Sequence, residues 1–206
     1  MKNAIKSLAV FFALFITASA FAQSFNYVDQ TQTVTVNANL YTVFQLNLVS
    51  GDEITFNFED FDDYKNGIAN TTTTQLTVNS STDWKLNVKA ESANLTYDGN
   101  NIPIDNVGVS LATSGTYTAG ANNYVNNAAG SANAKGLTTT DQTLIEAGTA
   151  HNIGDATQNI LDLTWYMGTK NGSMRAESMF DQLTRGDFPT GGPYTANVTF
   201  TLTQDN

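Results

Sequence analysis

The sequence predicts an all-β chain, an antiparallel β-sandwich of two packed sheets, Ig-like or jelly-roll-like, with one long irregular loop. Three observations predict it. Apolar and polar residues alternate with period two over many short runs, Thr and Asn number 30 and 24 among 206 residues, and helical periodicity is nearly absent. Branched Thr side chains favour extended backbone, while Asn favours turns. Strands with one apolar and one polar face bury the apolar face against a second sheet.

The first element is not part of that fold. Met1 to Ala22 carry Lys2 and Lys6, an apolar run from Leu8 to Ile16, and the small-residue end Ala18-Ser19-Ala20-Phe21-Ala22. This order predicts a secretory signal peptide over residues 1–22, because the apolar run is about half of the roughly 20 residues that span a bilayer. Residues 23–206 are then expected to form a single domain that is exported, extracellular, at the cell surface or periplasmic. The chain has no Cys, so export brings it no disulfides. A single core in a chain of this length buries roughly 70% of the unfolded surface, enough without such staples.

Strands are predicted in order by their inward residues: Val34 and Val36; Phe44, Leu46 and Leu48; Ile54, Phe56 and Phe58; and Leu76 and Val78. Trp84, Leu86, Val88 and Ala90 follow, then Val107, Val109 and Leu111, then Leu161, Leu163, Trp165 and Met167. The last strand reads Tyr194, Ala196, Val198, Phe200 and Leu202 inward, with Thr or Asn between them. Turn signals such as Ser50-Gly51-Asp52, Asp98-Gly99-Asn100 and Lys170-Asn171-Gly172 separate these runs. Residues 117–136 have no period and predict the long loop, and one weak helical pattern runs from Arg175 to Leu183.

Charge excludes several functions. Nine basic against 19 acidic residues give a net charge of −10, which disfavours nucleic acid and anionic membrane surfaces. Catalysis is hard to assemble from one His and no thiol. His151 lies beside no nucleophile signature and is expected to be a solvated loop residue. Paired carboxylates for glycoside hydrolysis need no motif, so an extracellular carbohydrate-active enzyme stays as the least favoured class. The sequence therefore predicts no enzyme and no required cofactor.

Two segments carry a family resemblance. Leu76-Thr-Val78-Asn-Ser-Ser-Thr-Asp-Trp84-Lys-Leu86 and Gly192-Pro-Tyr194-Thr-Ala-Asn-Val198-Thr-Phe200-Thr-Leu202 resemble the two signatures of WxL-type bacterial surface domains, with Phe200 standing where the second Trp would be. The resemblance implies an exported, noncatalytic cell-surface β-sandwich that acts by binding or adhesion to cell wall or glycan. Trp84, Leu86, Tyr194, Phe200 and Leu202 are its fold signature.

Three candidate contacts follow from residue type. Tyr64, Tyr124 and Tyr166 are the aromatics that the alternation leaves exposed, and sugar rings pack on such faces. Glu59, Asp60, Asp62 and Asp63 cluster after a strand, where carboxylates supply oxygen ligands to Ca²⁺ or simply form a solvated acidic turn. The uncharged runs Thr31–Asn37 and Thr195–Thr203 lack the Lys or Pro that blunts a sheet edge. They support the alternative of a pilus-like or sheath-like structural subunit, a homo-oligomer assembled by strand addition with residues 30–36 as donor.

Overall fold

The computed structural model describes residues 35–117, 123–125 and 129–205, without the side chains of residues 70–72. The signal peptide, most of the 30–36 run and part of the 117–136 loop lie outside the described residues. The chain divides into two units, Met1–Leu40 and Tyr41–Asn206. In the first, residues 35–40 form neither strand nor helix.

The second unit is the sandwich. Its strands are β1 (Phe44–Ser50), β2 (Ile68–Ser80), β3 (Trp84–Ala90), β4 (Asn94–Tyr97), β5 (Asn100–Pro103), β6 (Val107–Thr113), β7 (Tyr124–Val125), β8 (Lys135–Gly136), β9 (Gln142–Ala147), β10 (Ile160–Met167) and β11 (Val198–Gln204). One sheet has the order β1-β2-β10-β6-β8, the facing sheet β11-β3-β9-β7, and β4 with β5 forms a separate hairpin. Every pairing is antiparallel. The short turn after Ser80 carries the chain from β2 in one sheet to β3 in the other.

Period two explains why these runs pack as they do. Val198, Phe200 and Leu202 stand opposite Ala90, Val88 and Leu86, so both strands send their apolar rows to the same side. Leu161 and Leu163 from the other sheet are fully buried in the same core as Leu86 and Val88. The rings of Trp165 on β10 and Phe200 on β11 meet edge to face at 6.2 Å, tying the two layers together.

The strand expected at Val34 and Val36 is not formed by residues 35–40, β4, β5, β7, β8 and β9 are unpredicted, and three further elements differ from the sequence reading near the site. Ile54, Phe56 and Phe58 do alternate inward, but residues 52–59 belong to neither sheet. The cause lies at Gly51, which has φ 74° and whose added Cβ would fall 2.4 Å from the Thr73 carbonyl oxygen. There the chain bulges off the ladder, held by the Thr74 hydroxyl donating to the Gly51 carbonyl at 2.7 Å. The helical pattern at Arg175–Leu183 becomes α2, Met179–Arg185, started by Ser178, whose hydroxyl accepts from the Asp181 amide, and ended by left-handed Gly186. An unpredicted short helix, α1 (Phe61–Asn66), rises from the acidic cluster.

Candidate functional site

The sandwich is open along one side. Among the described residues strand β1 pairs only with residues 75–80 of the thirteen-residue β2, and β11 pairs only with β3, so β1 and β11 are edge strands of facing sheets. Between them lies a cleft of about 1400 Å³, larger than the usual 300–1000 Å³ of a small-molecule site. Leu46 and Leu48 of β1, Val198 and Phe200 of β11, and Ile54 and Phe56 of the segment that left the sheet line it. Buried Leu76, Trp165, Met179 and Phe188 line its depth.

The rim is acidic. Asp52, Glu53, Glu59 and Glu91 border the cleft, and among the described residues no Lys or Arg lines it. Walls and edges are uncharged: β1 reads FQLNLVS and β11 reads VTFTLTQ, with neither Pro nor Lys. Such edges present main-chain donors and acceptors that a further strand can pair. Leu48 remains 53% exposed although its register with Leu76 points it to the core side. An apolar side chain left wet on the inner face marks the place where the sandwich is incomplete.

The predicted glycan aromatics separate. Tyr64 is half-buried, packs on Phe58 at 5.0 Å between ring centres and lines the cleft. Tyr124 and Tyr166 are buried, contrary to the expectation that they are exposed. Tyr166 does lie opposite in phase to Trp165, but Met174 and Ala134 cover that face and its hydroxyl bonds Ser110 at 3.2 Å. Tyr124 meets Trp84 edge to face at 5.8 Å and donates to the Asn159 side chain. Burial, with a smaller contribution from Tyr117, pushes the Tyr124 hydroxyl far above its ordinary value.

That shift has a sign. The folded chain holds a proton that the unfolded chain releases near pH 10, so this stabilisation is complete below about pH 10 and is lost as pH rises further. Tyr124→Phe is expected to be less stable at neutral pH but to show a flatter alkaline decline, measured as urea midpoints from pH 8 to 11. Parallel declines in both proteins would assign the loss to other groups.

The acidic cluster caps a helix. The Asp63 amide donates to the Asp60 side chain at 3.0 Å, and the Asp63 carboxylate accepts from the amides of Glu59 and Asp60 at 2.8 and 3.3 Å. This is a reciprocal capping box, and Asp62 adds charge in the first turn where the helix dipole favours it. Among the described residues no group of three or more acidic or His side chains is placed to hold a metal ion. Asp60→Ala is expected to cost about 1 kcal/mol by thermal melting, equally with and without Ca²⁺. A Ca²⁺-dependent rise in Tm that Asp60→Ala abolishes would give the carboxylates to a cation instead.

His151 is exposed, as expected for a loop, yet it is not free. Its Nδ1 lies 2.6 Å from the Asp83 carboxylate, and its backbone has φ 59°. The pair fastens the 148–154 turn onto the β2–β3 connection, where Asn152 grips Trp84 from both sides. Of the signature residues, Trp84 and Leu86 are fully buried, whereas Tyr194, Phe200 and Leu202 are half-buried along the open side. Phe200 is thus a cleft wall as well as a fold residue.

Among the described residues no helix is long and apolar enough to cross a membrane. No protein-family model matches the chain, and no curated protein is significantly similar to it.

Proposed function

We propose that this chain is an exported, noncatalytic surface component that acts by binding, and that its binding element is the cleft between β1 and β11. The observation that carries this reading is the pair of unpaired, uncharged edges flanking an apolar, half-exposed interior. An elongated site with free main-chain groups on its walls and apolar pockets in its depth fits an extended polypeptide, whose backbone bonds an edge and whose alternate side chains fill the interior. This favours strand addition over a sugar platform, since only Tyr64 of the three candidate tyrosines reaches the cleft. The likeness to WxL-type surface domains supports the exported, binding character of the reading and leaves the ligand to the cleft.

Trp165 gives the test its signal, because it lies in the cleft beside Phe200. A synthetic uncharged peptide of alternating Thr and Val is expected to shift the tryptophan emission of the purified chain, and Trp165→Phe to remove that shift. Peptidoglycan fragments and neutral polysaccharides are expected to leave it unchanged. A response to the glycans with none to the peptide overturns the strand reading in favour of a sugar site.

A further inference from the structure

We infer that the occupant of the cleft is residues 34–40 of a second copy of this chain, which lie as an added strand along the free edge of β11. The inference rests on the cleft being a strand-binding site. Its new content is the identity of the strand.

The donor segment is Val34-Thr-Val36-Asn-Ala38-Asn-Leu40, with apolar residues at every second position and Thr or Asn between them. That is the pattern of a strand with one face buried. Yet residues 35–40 form no strand, and Val36 and Leu40 are 86% and 94% exposed. With the same alternation, Val36, Ala38 and Leu40 of the added strand face the same interior as Val198, Phe200 and Leu202. No charged residue occurs between Gln30 and Gly51, so the strand enters an acid-rimmed cleft without like-charge repulsion.

Turn chemistry keeps the segment from folding back onto the free edge of its own β1. Only Tyr41, Thr42 and Val43 separate Leu40 from β1. A reversal in so short a loop needs residues at positive φ, normally Gly, Asn or Asp, and branched Thr and Val resist it. None of the three has positive φ. Val43 is instead held against the β2–β3 turn, its amide donating to the Ser81 hydroxyl and its carbonyl accepting from the Ser81 amide, both at 2.9 Å. Each copy then donates one strand and receives one at a different surface. Such head-to-tail contact builds chains of copies, open unless the rotation between neighbours closes them into a ring.

The experiment is light scattering after size separation on the purified chain, with three partners for comparison. Wild type is expected to give a ladder at multiples of the monomer mass. The double variant Val36→Asp, Leu40→Asp changes exposed residues and is expected to keep its melting curve and lose the ladder. Leu48→Arg, placed on the cleft wall, is expected to lose it as well. Mixing these two variants restores one intact donor and one intact cleft, and should give a heterodimer that grows no further. A ladder that survives in the donor variant overturns the inference.

A synthetic peptide of residues 30–42 separates the two levels of the reading. Binding of this peptide, seen in Trp165 emission and in slowed amide exchange at residues 198–204, supports the inference. If the Thr-Val peptide binds, this one does not, and wild type is monomeric, the cleft reading stands and the second-copy strand falls. If neither peptide binds, both fall.

Discussion

Trp84→Ala is expected to lower the unfolding free energy by about 3–5 kcal/mol, a large share of the 5–15 kcal/mol that folded chains possess. The indole is fully buried in the core and packs edge to face on Tyr124 at 5.8 Å. Its Nε1 donates to the Asn152 carbonyl at 2.9 Å, while the Trp84 amide donates to Asn152 Oδ1 at 3.0 Å and the Trp84 carbonyl accepts from Asn152 Nδ2 at 2.7 Å. Truncation therefore opens a cavity and also strands a buried carbonyl. Trp84→Phe refills most of the volume without the donor and should cost about 1–3 kcal/mol, the penalty of one unsatisfied buried group. Urea midpoints at constant m-value measure both. Equal losses in the two variants would mean that the Nε1 hydrogen bond, not the packing, carries the effect.

Asn152 shows where the sequence stops being readable. It sits in Ala150-His151-Asn152, one of 24 Asn in a chain whose Asn content otherwise signals turns, and nothing local marks it as a core residue. It is fully buried because β3, 68 residues earlier, offers it a donor and an acceptor at the right separation. Tyr124 and Tyr166 were misplaced for the same reason. Trp84 over Tyr124 and Ala134 over Tyr166 come from distant parts of the chain.

Alternation was readable where the ladder is regular. The inward rows of β3 and β10 fall where period two puts them, and Val198, Phe200 and Leu202 of β11 pack on the core as expected, although Thr199 and Thr201 are half-buried too. Strand β9 was missed because Leu144 and Ile145 are consecutive and both fully buried. Its register with β3 shifts between Leu86 opposite Ile145 and Asn87 opposite Thr143, so a bulge turns two neighbours inward. Residues 54–58 show the converse, since the alternation is present while the pairing is not. Whether an alternating run joins a sheet depends on the edge available to it, and Gly51 takes this one away from β2. Residues 51–59 line the cleft, and the Ser50-Gly51-Asp52 turn signal marks where the chain turns without saying that the alternating run after it stays unpaired.

Gln182→Leu is expected to cost about 2–3 kcal/mol although Leu matches Gln in bulk and suits a buried site. Gln182 Nε2 donates to Asn106 Oδ1 at 2.7 Å, and Asn106 Nδ2 donates back to Gln182 Oε1 at 3.1 Å, both residues being almost wholly buried. The reciprocal pair fixes α2 to the turn before β6, and a helix of seven residues has no stability of its own to hold that position. Leu at 182 leaves one buried oxygen without its donor and one amide hydrogen without an acceptor. Adding Asn106→Leu removes the stranded partner, so the double variant should lose less than the sum of the singles, a coupling of at least 1 kcal/mol in a double-mutant cycle. Simple additivity would show that the two amides act independently. The consequence reaches the cleft, because Met179 on the same helix lines its depth. If α2 loosens, the depth of the cleft widens, and Gln182→Leu should weaken peptide binding at Trp165 even at temperatures where the sandwich stays folded.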